Sequence, residues 1–144
     1  MTAIAVVPLR GDELGEMVHH LSAAGLIHTD VEGPNRWFFR VENLGLIGFA
    51  GLEGQGADRL LRSVVVAPDR RGQGLGCRLV EAVEDTARSQ GVQRLHLLTT
   101  TAAPFFRALG YGDADRSAAP TTIANSREFA NLCPASAAYL VKDL

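Results

Sequence analysis

The 144 residues carry a formal net charge of −2 and are 47% apolar, which suits one domain over 1–144 whose single core buries roughly two-thirds of its unfolded surface. Basic residues are scattered along the chain instead of gathered on one face, which argues against a nucleic-acid partner. No stretch approaches the ~20 apolar residues of a membrane span, and the first residues lack the basic start of a leader.

Residues 4–9 read as a short apolar strand closed by Pro8, and Asp12 and Glu13 then stand where a helix N-terminus favours negative charge. Leu14, Met17, Val18 and Leu21 mark the buried stripe of that helix, and Gly25 is its stop. Residues 26–35 show poor periodicity and read as a short helix or loop. Residues 36–42 and 44–53 are rich in strand formers and form a hairpin turning at Glu42-Asn43. Gly54 and Gly56 make the next turn, and 57–67 returns as a third strand of this group. Leu75, Leu79, Ala82, Val83, Thr86 and Ala87 then recur at helical spacing, which leaves Arg78, Glu81, Glu84, Asp85 and Arg88 for solvent. A strand is expected at 92–99, a short helix capped by Thr100 or Thr101 and running to Leu109, irregular chain with one short helix within 123–132, and a terminal strand at 137–142.

The junction at 60–76, Leu-Leu-Arg-Ser-Val-Val-Val-Ala-Pro-Asp-Arg-Arg-Gly-Gln-Gly-Leu-Gly, joins a strand to a helix through a glycine-spaced loop. The first helical N–H groups have no partner within the helix, and the aligned peptide dipoles favour an anion there. Gly72, Gly74 and Gly76 remove the Cβ atoms that would hold a phosphate off the backbone, and Arg70 and Arg71 add charge at the rim. Two phosphate loops fit badly: no Lys follows Gly76 as a P-loop requires, and Cys77 stands where the dinucleotide fingerprint needs its third glycine. Cys77 and Cys133 signal neither a disulfide framework nor a zinc site, and His19, His20, His28 and His96 have no ligand spacing, so no metal is expected and a reducing cytoplasm fits best.

The pattern Arg71-x-x-Gly74-x-Gly76 after a Val-x-Pro strand end closely resembles the pyrophosphate loop of the GNAT superfamily of acetyl-CoA-dependent N-acetyltransferases. A second element, Thr99, Ala102, Phe106, Gly110 and Tyr111, is similar to that superfamily's downstream motif. The run from Leu98 to Tyr111 and the tail from Arg127 onward look like the ArsN-type acetyltransferases of arsenic-resistance operons and echo the acetyl-transfer domain of N-acetylglutamate synthase. The resemblance implies an α/β GNAT fold, with a mixed sheet splayed between its fourth and fifth strands and helices on both faces. Acetyl-CoA is the implied cosubstrate, and the α-amine of a small amino-acid-like molecule the implied acceptor.

By that resemblance, backbone N–H groups of Val64 and Val66 face the acetyl carbonyl, and Val64, Val65, Val66, Arg71, Gly72, Gln73, Gly74, Leu75, Gly76, Thr99, Ala102, Phe105 and Phe106 bind the cofactor. Two departures stand out. Phe106 occupies the position of a tyrosine that protonates the leaving thiolate in many relatives, and residues 60–63 lack the glutamate that many use as a base, so no general base is assigned. Arg62 interrupts an apolar strand with a cation, shares parity with Leu60 and Val64, and suits an acceptor carboxylate. Arg36 offers a second anion contact, and Cys133 a thiol near the acceptor. The 141–142 segment reads as a sheet edge available to a homodimer. Two other readings stay open: an acetyl-CoA-binding regulatory module without catalysis, and a protein-amine acetyltransferase with an open groove.

Overall fold

The protein is described here as a computed structural model covering residues 4–126, 129–130 and 136–144. Its strands are β1 (Ala5–Pro8), β2 (Arg36–Glu42), β3 (Leu46–Glu53), β4 (Asp58–Val66), β5 (Arg94–Thr99), β6 (Gly112–Asp113) and β7 (Ala138–Asp143). The α-helices are α1 (Leu14–Ala23), α2 (Leu75–Ser89), α3 (Ala103–Ala108) and α4 (Thr121–Ala124). One mixed sheet runs β1-β2-β3-β4-β5-β7-β6, antiparallel throughout except for the parallel pair of β4 with β5.

Period-two alternation in β2 and β3 sends side chains to two cores. On one face α2 lays Leu75, Leu79, Val80, Val83 and Ala87 against Phe39, Val41, Ile47, Leu52, Leu61, Leu95 and Leu97. On the other, Met17 and Leu21 of α1 and Val31 pack on Phe38, Phe49 and Val65. Burying a side chain of this size is worth about 1.5–3 kcal/mol, so these two layers fix which face each strand residue takes.

β4 breaks its own alternation. Phe49 faces Val65 and Gly51 faces Arg62, so β4 spends one residue more than β3 across this interval. Ser63 takes up the excess at φ 58°, in the left-handed region. The bulge separates Arg62 from Val64: Val64 packs with the α2-side core, whereas the Arg62 guanidinium stacks 5.5 Å from the Phe38 ring on the α1 side. The parity expected for Arg62 and Val64 therefore fails, because a regular strand was assumed.

Other expectations are corrected locally. The first hairpin turns through Leu44 and Gly45, at φ 55° and 109°, so β3 starts two residues later than expected. Thr99, not Thr100 or Thr101, supports the start of α3: its Oγ1 accepts from the Ala102 N–H at 2.9 Å. Residues 26–35 form no helix, and α4 begins before position 123. Glu84 is buried, not solvated, because Tyr111 Oη donates to it at 2.8 Å and Lys142 Nζ at 3.0 Å. β7 is no edge; it lies between β5 and β6. Trp37 is 44% exposed with the Arg59 guanidinium over its ring.

Gly48 marks where β3 and β4 approach too closely for any side chain, since a Cβ there would lie 2.0 Å from the Val65 carbonyl oxygen. Gly48→Ala is expected to destabilise the fold by about 1–3 kcal/mol or more, read as a lower urea midpoint with an unchanged slope.

Candidate active site

β4 and β5 pair over only three positions, Asp58 with Arg94, Arg59 with Leu95 and Leu60 with His96. Beyond Leu60 they diverge, and a cavity of about 280 Å³ opens between them. Its walls include Leu61, Ser63 and Val64 from β4, Leu97 to Thr99 from β5, Phe106 from α3, and Gly25, Leu26 and Ile27 from the chain after α1. Strand backbone that faces such a fork has unspent hydrogen-bonding groups available to a ligand.

A second cavity, about 250 Å³, adjoins the end of β4 and is lined by Val66, Arg70, Arg71, Gly72, Gly74, Gly76 and Phe105 among others. Gly74 caps α2 at φ 72°, with no side chain folded over the helix end and no acidic residue in the first turn. Gly72 is also left-handed, and Cβ atoms built on either glycine would project into open space. The helix N-terminus thus presents uncapped N–H groups and positive potential to that space, a fit for the diphosphate of a coenzyme. The loop is fixed from both sides: Arg71 Nε donates to the Val66 carbonyl at 3.1 Å, and Arg70 Nη2 to the Asn43 carbonyl at 3.0 Å. Gln73 Nε2 closes the turn on the Asp69 carbonyl at 3.3 Å.

The candidates named from the sequence distribute as follows. Val64, Thr99, Ala102 and Phe106 line the fork cavity; Val66, Arg71, Gly72, Gly74, Leu75, Gly76 and Phe105 line the loop cavity. Val65 turns its side chain into the α1-side core. Phe106 stacks edge-on against Phe105 and Tyr111 with centroids 5.0 and 5.5 Å away, so an aromatic wall replaces a hydroxyl. Tyr111 does not substitute for it. Burial, then the charge of Glu84, pushes its phenol far above the ordinary tyrosine value. Cys133 lies outside the described residues.

Arg62 lies in the cavity wall with its guanidinium already holding two carboxylates. Its Nη1 donates to Asp30 Oδ2 at 2.7 Å and to Glu53 Oε1 at 2.8 Å, Nη2 donates to Asp30 Oδ1, and Nε donates to Ser63 Oγ at 3.1 Å. Arg36, also expected near an anion, donates from Nε to the same Glu53 oxygen at 3.2 Å. Asp30 was not foreseen, since the aperiodic stretch around it carried no signal; Glu53 is a buried partner of both arginines.

A second buried polar row was also missed. His96 Nε2 and Asp58 Oδ1 are 2.7 Å apart, and His96 Nδ1 lies 2.7 Å from Tyr139 Oη. The Asp58 carboxylate can only accept, so His96 donates to it from Nε2, and Nδ1 shares its hydrogen bond with the Tyr139 hydroxyl. This row spans β4, β5 and β7 at the base of the fork. The sequence signal available was a histidine within an apolar strand, which lone-residue reasoning discards. Among the described residues no group of three or more His, Cys, Asp or Glu side chains is placed to hold a metal ion, and no helix is long and apolar enough to cross a membrane.

A parallel fork beside an uncapped, glycine-lined helix end puts a strand-walled channel next to an anion cradle. Residues 34–112, more than half of the chain, match the family model described as an acetyltransferase (GNAT) domain. The chain belongs to the GNAT family, N-acetyltransferases whose acyl donor is acetyl-CoA, and its fork and loop fit that cosubstrate.

Over 52 residues the chain is 48% identical to N-alpha-acetyltransferase 80 of Mus musculus, a match that covers 36% of this chain and 17% of that protein. Its fold is similar to N-acetylglutamate synthase from Neisseria gonorrhoeae, solved with coenzyme A and L-arginine, at TM-score 0.78 and 22% identity, covering 100% of this chain and 34% of that one. A GNAT acetyltransferase from Staphylococcus aureus Mu50 matches at TM-score 0.72 and 16% identity over 99% of both chains. The ribosomal-protein-S18-alanine N-acetyltransferase of Escherichia coli matches at 0.64 and 20%, over 99% of this chain and 93% of that one. The chain thus spans about a sixth of the mouse relative and a third of the Neisseria enzyme.

Burial raises the Asp58 carboxyl, but its bonds to His96 and Arg94 outweigh that effect and hold it below the ordinary carboxylate value. A depressed folded pKa gives stability that is present above the unfolded value of about 3.9 and is lost as pH falls through the folded one. Urea titrations across pH 2–6 should therefore show a shallower acid loss of stability for Asp58→Asn than for the wild type.

Proposed function

We propose that the domain transfers the acetyl group of acetyl-CoA to the α-amine of a small amino-acid-like acceptor, of the arsenic-containing or glutamate-like class. The observation that carries this is the small fork cavity, walled on the acceptor side by Gly25, Leu26 and Ile27 and lying between the divergent strands. A volume of about 280 Å³ suits a small amine better than a polypeptide laid along an open groove. The tail that looks like ArsN-type enzymes and the similarity in fold to an N-acetylglutamate synthase support the same acceptor class.

Acetyl-CoA, when bound, supplies a thioester carbonyl for direct attack by a neutral amine. Loop residues Gly72 to Gly76 hold the diphosphate, and the Val64 and Val66 backbone offers N–H groups to the carbonyl oxygen as it gains charge. Thr99 and Ala102 border the pantetheine path, and Phe106 keeps water from the reacting end. The leaving thiol has a pKa near that of free cysteine, ~8.5, and requires little protonation help.

A specific observation favours a second reading, a coenzyme-binding regulatory module. Among the described residues lining the fork cavity, Arg62 is the one that is charged at neutral pH, and none is a carboxylate or imidazole that could accept a proton. A thiol-release assay over the proteinogenic amino acids and arsenic- or phosphorus-containing glutamate analogues separates the two. Turnover of one class supports acetyl transfer; tight coenzyme binding with no turnover across the panel supports the module.

The loop assignment has its own test. Gly74→Ala places a Cβ at φ 72°, a strain of about 1–2 kcal/mol, and should weaken coenzyme A binding by roughly tenfold in calorimetry.

A further inference from the structure

The segment between α1 and β2 supplies the acceptor-side wall through Gly25, Leu26 and Ile27, yet it contains no regular secondary structure to hold that wall in place. Its anchorage is ionic. Asp30 lies three residues beyond Ile27, its side chain 0% exposed, and both of its oxygens accept from Arg62, whose own side chain is 1% exposed. Glu53 balances the charge by accepting from Arg62 and Arg36 together.

Arg36 also reaches back to the segment, donating from Nη1 to the Glu32 carbonyl at 2.8 Å. Gly33 makes room for that reach, because a Cβ there would lie 2.2 Å from the same Nη1. Two cations and two carboxylates thus join the segment to three adjacent strands, on the face where Phe38 underlies Arg62.

Arg62 ties the same cluster to the reacting centre, since its Nε donates to Ser63 Oγ at the left-handed bulge residue immediately before Val64. From this placement we infer that Asp30 is a positioning residue. Through Arg62 it sets the distance between the acceptor wall and the β4 bulge, and it does not stand in for an acceptor carboxylate that later displaces it. Exchange would have to break an enclosed bidentate pair and leave the Asp30 carboxylate buried without its cation. The kinetic part of this inference rests on the acetyl-transfer reading; the anchoring part does not.

The test uses the full chain with Asp30→Asn, and with Arg62→Lys as a second substitution that keeps the charge but loses the two-pronged geometry. The first readout is amide hydrogen exchange with no acceptor present. Both variants should speed exchange over residues 25–32 by about tenfold or more while leaving 79–87 in α2 unchanged. Unaltered exchange over 25–32 in whichever variant folds overturns the inference, whether or not any acceptor is ever turned over.

The second readout is kinetic, with the best acceptor found among the amino acids and glutamate analogues. Asp30→Asn should raise its KM about tenfold, with acetyl-CoA affinity within roughly twofold of wild type. The double variant should be no worse than the more severe single one, because the two-pronged Asp30–Arg62 pair is already broken in either. A fall in acceptor KM for Asp30→Asn would show that Asp30 competes for Arg62 and would overturn the positioning role. Inactivity of the wild type on the whole panel would count against the acetyl-transfer reading alone and leave the exchange result to decide the anchor.

Discussion

Two parallel strands that hydrogen-bond for three residue pairs and then separate set the terms for this molecule. A sheet that opens in its middle exposes backbone that water or a ligand must satisfy, so the opening has to be held to a fixed width by groups outside it. The protein does this from both ends. At the base, Arg94 and His96 of β5 grip Asp58 of β4 across the last paired residues. At the mouth, α2 and α3 pack behind the strands, with Leu75, Leu79 and Phe106 filling one continuous core with Leu61 and Leu97.

Buried charge is used here for geometry more than for stability. Isolated buried ion pairs contribute little net stability because desolvation offsets attraction, and the three polar clusters found among the described residues are not explained by stability alone. Each joins elements that distant parts of the sequence supply. Asp30, Arg36, Glu53 and Arg62 connect the α1-β2 segment to β2, β3 and β4; Asp58, His96 and Tyr139 connect β4, β5 and β7; Glu84, Tyr111 and Lys142 connect α2, the turn after α3 and β7. Hydrogen-bonded charges have narrow distance and angle limits, whereas apolar contacts tolerate sliding. The first two clusters include β4, one strand of the fork, where sliding would change its width.

The glycine-spaced loop between β4 and α2 was legible because its geometry is local. Gly72, Gly74 and the helix that follows them are adjacent in sequence, and both glycines take left-handed conformations with open space where a Cβ would stand. The order of elements along the chain was legible for the same reason, since periodicity is a property of each segment alone, whereas the mixed sheet with helices on both faces came from the family resemblance. What escaped was everything set by register. A regular strand puts Arg62 beside Val64, and one extra residue at Ser63 moves them to opposite faces. Asp30 and Glu53 lie 32 and 9 residues from the arginine they share, and neither spacing has a local signature. Glu84 reads as solvent-facing by helical period, yet Tyr111 and Lys142 come to it from elsewhere in the chain. Thr99 supports α3 from within β5, one element earlier than the propensity of Thr100 or Thr101 implied.

Acetyl transfer as proposed requires the acyl group to lie against the β4 backbone past Leu60, with the loop at 72–76 holding the far end of the coenzyme. Backbone amide shifts in a nitrogen-labelled sample, recorded with coenzyme A and then with acetyl-CoA, test this directly. Coenzyme A should move Gly72, Gly74 and Leu75, and exchanging it for acetyl-CoA should leave those positions fixed while moving amides among Val64, Val65 and Val66. Shifts at the loop with no difference at 64–66 between the two ligands would contradict the account.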